Sequence, residues 1–218
     1  MADLLRYLLI VSALTTPGLS LSCFTCLDLT GAYCTGSPVT CSAGYSCVTS
    51  LSVTTVGSTN QSLSLSRGCA AANQCNITGS LTFQYGKVKI VTSCCDTDSC
   101  NATIATLPAD NATVNGLTCR TCASDTTDYC YTDATLQCNG AETLCGRMAT
   151  YLSGTASVTN TIRGCATPSV CNILGNVNGA FGSLNTVVKT FCSSGCVGLQ
   201  GTFYLSSLMM LILMKIIF

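Results

Sequence analysis

Between Cys47 and Cys69, Leu51 and Val53, then Leu63 and Leu65, alternate with serine and threonine on either side of a Gly57-Ser58-Thr59-Asn60 break. Alternation with a period of two across a turn marks a β-hairpin that buries one face. A second hairpin is predicted between Cys75 and Cys94. There Leu81, Phe83 and Tyr85 alternate up to Gly86-Lys87, and Val88, Ile90 and Thr92 alternate after it. The stretches Cys145 to Cys165 and Cys171 to Cys192 repeat the arrangement less cleanly, with Gly154 and Gly182 as turn or loop positions. No segment carries a helical period, so the chain reads as all-β.

The hairpins are framed by a cysteine ladder that recurs about 96 residues later. The first set is Cys23, Cys26, Cys34, Cys41, Cys47, Cys69, Cys75, Cys94, Cys95 and Cys100, the last followed by Asn101. The second is Cys119, Cys122, Cys130, Cys138, Cys145, Cys165, Cys171, Cys192 and Cys196. Other residues keep the same register: Tyr33 before Cys34 matches Tyr129 before Cys130, and Arg67-Gly68-Cys69 matches Arg163-Gly164-Cys165. Self-similarity at a fixed period means two copies of one unit. Residues three apart on a strand face opposite ways, so Cys23 and Cys26 should take different partners, and neighbours Cys94 and Cys95 should not bond each other. Spacing alone leaves several hundred pairings open among ten cysteines.

Nineteen cysteines in 218 residues, with no histidine and no tryptophan, is the usage of a secreted disulfide scaffold. Residues 1–20 support an oxidising compartment. Arg6, the apolar run Leu8 to Leu14, and the small residues Gly18 and Ser20 give the order of a cleaved signal peptide, and Pro17-Gly18 ends the run short of a membrane span. At the other end, Ser193-Ser194-Gly195, a short spacer and the apolar run Phe203 to Phe218 give the order of a glycosylphosphatidylinositol attachment signal. With Ser193 as the attachment residue, Cys196 leaves with the propeptide and an even number of cysteines remains. The expected divisions are 1–20 signal peptide, 21–101 first domain, 102–116 linker around Pro108, 117–193 second domain and 194–218 propeptide. Each domain is small enough that its apolar core would be marginal without covalent staples.

Nine lysines and arginines balance nine aspartates and glutamates, and no basic cluster offers a face to nucleic acid. The Cys-x-x-Cys pairs would suit zinc or redox chemistry only as reduced thiolates, which a secreted chain does not keep. Without histidine there is no imidazole base, and Asp96 and Asp98 read as turn formers, so neither an active site nor a metal or cofactor is expected. Four Asn-x-Ser/Thr sequons occur. Asn60 at a hairpin tip, Asn111 in the linker and Asn76 after Cys75 are the expected glycan sites.

The run Leu21-Ser22-Cys23-Phe24-Thr25-Cys26, the spacing to Cys34, Cys41 and Cys47, the Arg67-Gly68-Cys69 element and the close Cys94-Cys95-Asp96-Thr97-Asp98-Ser99-Cys100-Asn101 together resemble the Ly6/uPAR family of three-finger domains. The resemblance implies two tandem, disulfide-rich, snake-toxin-like domains. It implies the pairs Cys23 with Cys47, Cys26 with Cys34, Cys41 with Cys69, Cys75 with Cys94 and Cys95 with Cys100. In the second repeat it implies Cys119 with Cys145, Cys122 with Cys130, Cys138 with Cys165 and Cys171 with Cys192. There Ser193 stands at the family's ninth cysteine position, Cys196 falls two residues early for the tenth, and no terminal asparagine follows. A pairing of Cys171 with Cys196 is the alternative if the tail is retained. Asn101 occupies the position of the family's structural asparagine, which implies a buried, hydrogen-bonded amide rather than a glycan.

The function this implies is that of a lipid-anchored, extracellular glycoprotein that binds a protein ligand as receptor, adhesion protein or modulator. The alternative is a secreted two-domain inhibitor of an extracellular enzyme, of the phospholipase A2 inhibitor kind. The hairpin faces Leu51 to Leu65 and Leu81 to Ile90 are candidates for the ligand surface, with burial in the core as the competing reading.

Overall fold

The computed structural model describes residues 20–194, apart from 32, 58–59, 155–156, 174–176 and 182–183. The expected leader, the apolar C-terminal run, Cys196 and the turn at Gly182 therefore lie outside the described residues. The molecule is almost wholly β. In the first repeat, β1 (Ser22–Asp28) and β2 (Ser37–Thr40) form finger I, β3 (Tyr45–Val56) and β4 (Asn60–Ala71) finger II, and β5 (Thr78–Phe83) and β6 (Gly86–Cys95) finger III. Both predicted hairpins are there: Val56 pairs with Asn60 across the first turn, where Gly57 adopts φ +63°, and Phe83 pairs with Gly86 across the second. The left-handed backbone at Gly57 is one that side chains resist.

The second repeat has β7 (Val114–Arg120), β8 (Cys122–Ser124) and β9 (Thr135–Asn139) as finger I, β10 (Leu144–Ser153) and β11 (Val158–Ala166) as finger II, and β12 (Val177–Phe181) and β13 (Leu184–Ser193) as finger III. β7 begins at Val114, inside the stretch read as linker, and pairs with β9 on both sides of an irregularity between Val114 and Thr118, where Gly116 adopts φ +88°. Between β11 and β12 the chain makes a short helix, α1 (Pro168–Ile173), which the pattern reading lacks. One and a half turns are too few to display a period, although proline at the first helical position is a local signal for it.

The two repeats share one sheet. β11 pairs antiparallel with β5, placing Gly164 opposite Phe83, Cys165 opposite Thr82 and Ala166 opposite Leu81. The strand order is β12-β13-β10-β11-β5-β6-β3-β4-β1-β2, so an edge of each repeat that would otherwise expose backbone donors and acceptors is covered by the other. Gly164 is required here, because a Cβ on it would collide with the Thr82 carbonyl and lie 3.0 Å from Phe83 Cα. Gly79 is required for the same reason, since a Cβ there would lie 2.5 Å from Thr167 Oγ1 and 2.6 Å from Val170 Cγ2.

Around this seam lies the main apolar packing. Leu81, Phe83 and Ala166 are buried with Val88, Met148, Ile162 and Cys171 against them. Val170 of α1 packs on Ile77 and Ile90 of the first repeat and on Met148 and Val188 of the second. Polar closure is equally specific. The Thr167 N–H donates to Ser80 O at 2.9 Å and the Ser169 hydroxyl to Thr78 O at 2.7 Å. Glu142, with a side chain only 4% exposed, accepts the hydroxyls of Ser80 and Thr82 at 2.6 Å each, with Lys87 Nζ at 3.6 Å. A buried carboxylate is tolerable only with such partners.

Candidate ligand-binding surface

Nine disulfides are present among the described residues, in the pairs the family resemblance implies. The first repeat has Cys23–Cys47, Cys26–Cys34, Cys41–Cys69, Cys75–Cys94 and Cys95–Cys100. The second has Cys119–Cys145, Cys122–Cys130, Cys138–Cys165 and Cys171–Cys192. At each base two bridges stack. Cys41 Sγ lies 3.1 Å from Cys23 Sγ, and Cys138 Sγ lies 3.4 Å from Cys119 Sγ. The sulfur trios Cys23, Cys41, Cys69 and Cys119, Cys138, Cys165 come within 4.8 Å, a metal-like spacing, but every one of these atoms is already bonded to another sulfur. A thiolate is what a metal needs.

Asn60 opens β4, Asn76 sits at φ +55° and Asn111 lies before β7; all three are exposed. The Asn111 side-chain oxygen accepts the Thr113 N–H at 2.8 Å. Ser193 ends β13, exposed, opposite Cys145 at the base of the second repeat. The expectation for Asn101 is overturned. It is exposed, and its amide makes no hydrogen bond among the described residues. Its tying role falls instead to the neighbouring loop: Asp98 Oδ1 accepts the Ser22 N–H at 2.8 Å, and the Ser99 N–H donates to Ser22 O at 2.6 Å.

A second correction concerns the hairpin faces proposed for ligand. Val53 and Leu65 are 5% and 2% exposed, and Leu81 and Phe83 are 1% and 6%. Leu51 packs against Leu65 and the Cys26–Cys34 bridge. Val53, Leu65, Leu81 and Phe83 are core, because finger I lies over one hairpin and the seam covers the other, while Tyr85 beside the second turn stays exposed.

Exposed aromatics occur in both repeats, Tyr33, Tyr45 and Tyr85 in the first and Tyr129, Tyr131 and Phe191 in the second. In the second repeat, β10 places Arg147 directly between Arg163 of β11 and Phe191 of β13, and the same face continues to Lys189 and Tyr151. The Arg147 guanidinium lies 5.1 Å from the Tyr129 ring centre and 4.5 Å from that of Phe191, two rings that are each about half exposed. Its Nη1 donates to the Asp128 carbonyl at 3.3 Å. Lys189 Nζ lies 5.1 Å from the Tyr151 ring, and the Tyr151 hydroxyl donates to Asp128 Oδ2 at 2.7 Å. That carboxylate, as acceptor, pushes the phenol up from its ordinary value, so Tyr151 stays a neutral donor. Pattern reading passes over these residues, since Tyr129, Arg147 and Phe191 come from three separate segments. A signal was available: Arg147 follows Cys145 by two positions and Phe191 precedes Cys192, so the cysteine ladder sets them side by side.

Comparison with known proteins follows the same two-part division. The family model described as u-PAR/Ly-6 domain matches residues 19–103 and 115–197. Urokinase plasminogen activator surface receptor from Bos taurus is 33% identical over 132 residues, 60% of this chain and 38% of that protein. The chain thus spans well under half the length of this relative. The crystal structure of mouse TEX101 aligns at 20% identity over 78% of this chain and 94% of that one, with a TM-score of 0.34. With both halves matched by one domain model across most of its length, the chain belongs to the u-PAR/Ly-6 domain family.

Proposed function

We propose that this protein is a cell-surface glycoprotein that binds an extracellular protein through the outer faces of its fingers and performs no chemistry on it. Residues 21–101 and 117–193 form the two units in this reading, with 102–116 between them. Glycans are carried at Asn60, Asn76 and Asn111. A glycosylphosphatidylinositol lipid at Ser193 holds the chain to the membrane, supported by the small residues at 193–195 and the apolar run Phe203 to Phe218. Attachment there would put the lipid at the base of the second repeat and turn its fingertips away from the membrane.

The observation that carries the binding role is the row of half-exposed aromatic and cationic side chains on β10 and β13. Rings left in water cost solvation, and neither the disulfide frame nor the apolar seam needs them. Aromatic residues and arginine are enriched at the centres of protein interfaces. Membership of a family with a surface receptor among its relatives supports the same reading. Two measurements on cells expressing the full chain test it. Phosphatidylinositol-specific phospholipase C should release the protein into the medium; retention on the cells contradicts the lipid anchor, and protein already free in the medium favours the secreted inhibitor. Crosslinking at the surface should retain a specific extracellular protein, and a clean negative contradicts the binding role.

A further inference from the structure

Seven lysines and arginines fall among the described residues. Lys87, Lys89 and Arg120 are paired with Asp110, Glu142 or Asp133. Arg67 is turned inward, its Nη1 donating to Cys34 O at 3.1 Å and its Nε buried. The remaining three, Arg147, Arg163 and Lys189, have no carboxylate within ion-pair distance among the described residues, and all three lie on one face of the second repeat. Asp128, whose side chain reaches that face, accepts the Tyr151 hydroxyl.

We propose that this face is the docking surface for an acidic segment of a partner protein, a proposal that rests on the binding role above. Three cations facing the one carboxylate of Asp128, in a chain of balanced charge, make an anionic partner the complementary one. Stacking between Tyr129 and Phe191 holds the Arg147 guanidinium in place before any partner arrives, so less freedom is lost on binding. Arg163, directly across the strand, offers a second planar fork for a carboxylate. The interleaved rings favour a protein over a sulfated glycan. A polyanion bound by charge alone calls for a run of basic residues, whereas tyrosine, phenylalanine and arginine together make the desolvated centre of a protein contact.

The test uses the mature protein purified from expressing cells, with an immobilised glutamate–tyrosine copolymer as the acidic polypeptide probe and heparin as the glycan comparison. The variant combining Arg147→Ala, Arg163→Ala and Lys189→Ala should weaken copolymer binding by about 10-fold or more, which is about 1.4 kcal/mol. Lys89→Ala, which removes a cation of the first repeat already paired with Asp110, should stay within about 2-fold. Arg147→Lys keeps the charge and loses the fork, so it should show part of the loss. Matching thermal melts and non-reducing mobility establish that the variants fold, and the single substitutions replace the triple if it does not. Unchanged copolymer binding in the variants overturns the proposal, as does binding to heparin alone. If a surface crosslinking partner is retained equally by wild type and triple variant, the face is wrong while the binding role stands. If no partner is retained but copolymer binding depends on the face, it is the binding role that fails.

An independent observation assigns a modification. Asn101 and Thr103 are both exposed, in a segment without regular structure, and the Asn101 amide has no partner among the described residues. We propose that the sequon Asn101-Ala102-Thr103 carries an N-linked glycan. The amide nitrogen would displace the lipid diphosphate from the anomeric carbon of the donor oligosaccharide, forming a C–N bond and losing one proton as the diphosphate departs. Peptide mass spectrometry after glycan removal by amidase in heavy-oxygen water should find Asn101 converted to labelled aspartate, and Thr103→Ala should abolish the label without altering Asn101. Unlabelled asparagine at 101 beside labelled Asn60 or Asn111 overturns it.

Discussion

The two repeats use the same four base disulfides and the same Tyr and Arg-Gly-Cys markers, yet three positions buried on the first repeat's sheet carry partly exposed cationic and aromatic side chains in the second. Position by position along the cysteine ladder, Thr49, Val53 and Val91 of the first repeat correspond to Arg147, Tyr151 and Lys189 of the second. The first three are 3%, 5% and 1% exposed, and the second three are partly exposed and stacked as cation–ring pairs. Even the shared arginine diverges: Arg67 reaches behind finger I to Cys34 O, while Arg163 has no polar side-chain partner among the described residues. Covalent staples at the base let the fingers change character without loss of fold, because the crosslinks constrain the unfolded chain whatever the faces carry.

If the base bridges do equivalent work, removing Cys41–Cys69 and removing Cys138–Cys165 by paired serine substitutions should cost about 2–5 kcal/mol each. Chemical denaturation under non-oxidising conditions reads this out, and a large inequality would show that one repeat leans on the other. A sharper contrast comes from the motif glycines. Gly68 has open space where a Cβ would go, whereas Gly164 lies against the Thr82 carbonyl and Phe83. Gly164→Ala should destabilise by about 1–3 kcal/mol through overpacking, and Gly68→Ala by no more than about 0.5 kcal/mol. Glu142→Ala strips the acceptor from the Ser80 and Thr82 hydroxyls at the seam and should lower stability by about 2 kcal/mol, with Glu142→Gln costing less in the same melt.

The smallest effect concerns the segment between β6 and β7. Asp110 accepts a hydrogen bond from Lys89 at 2.7 Å, with Lys87 at 3.3 Å, and Lys89 chiefly holds its carboxyl below the ordinary value of 3.8. Since the folded value is depressed, its contribution is complete above the ordinary carboxylate range and fades as pH falls through the lowered value. Asp110→Asn should therefore flatten the acid limb of the stability profile slightly, more so at low salt because Asp110 is largely exposed.

The doubled cysteine ladder, both hairpins of the first repeat and the sequons at Asn60, Asn76 and Asn111 were readable from residue order, because each is a local or periodic signal, whereas the disulfide pairing came only with the family resemblance. What hides in the sequence is long-range. Alternation around Leu81 and Phe83 says that one face is buried but not that Ala166, some eighty residues on, helps bury it. Asn101 matched a motif whose structural work Asp98 performs here, a substitution of roles that spacing does not reveal. The Tyr129–Arg147–Phe191 stack needs strand register, which only the bridged cysteines supply.

Hydrogen exchange at the seam tests most directly whether the repeats form one continuous sheet that leaves the second repeat's outer face free. The Thr167 amide, bonded to Ser80 O at 2.9 Å, should exchange as slowly as the Thr92 amide, bonded within the first repeat to Ile77 O at 2.8 Å. Exchange of Thr167 at the rate of an unprotected loop amide, with Thr92 still protected, would contradict it.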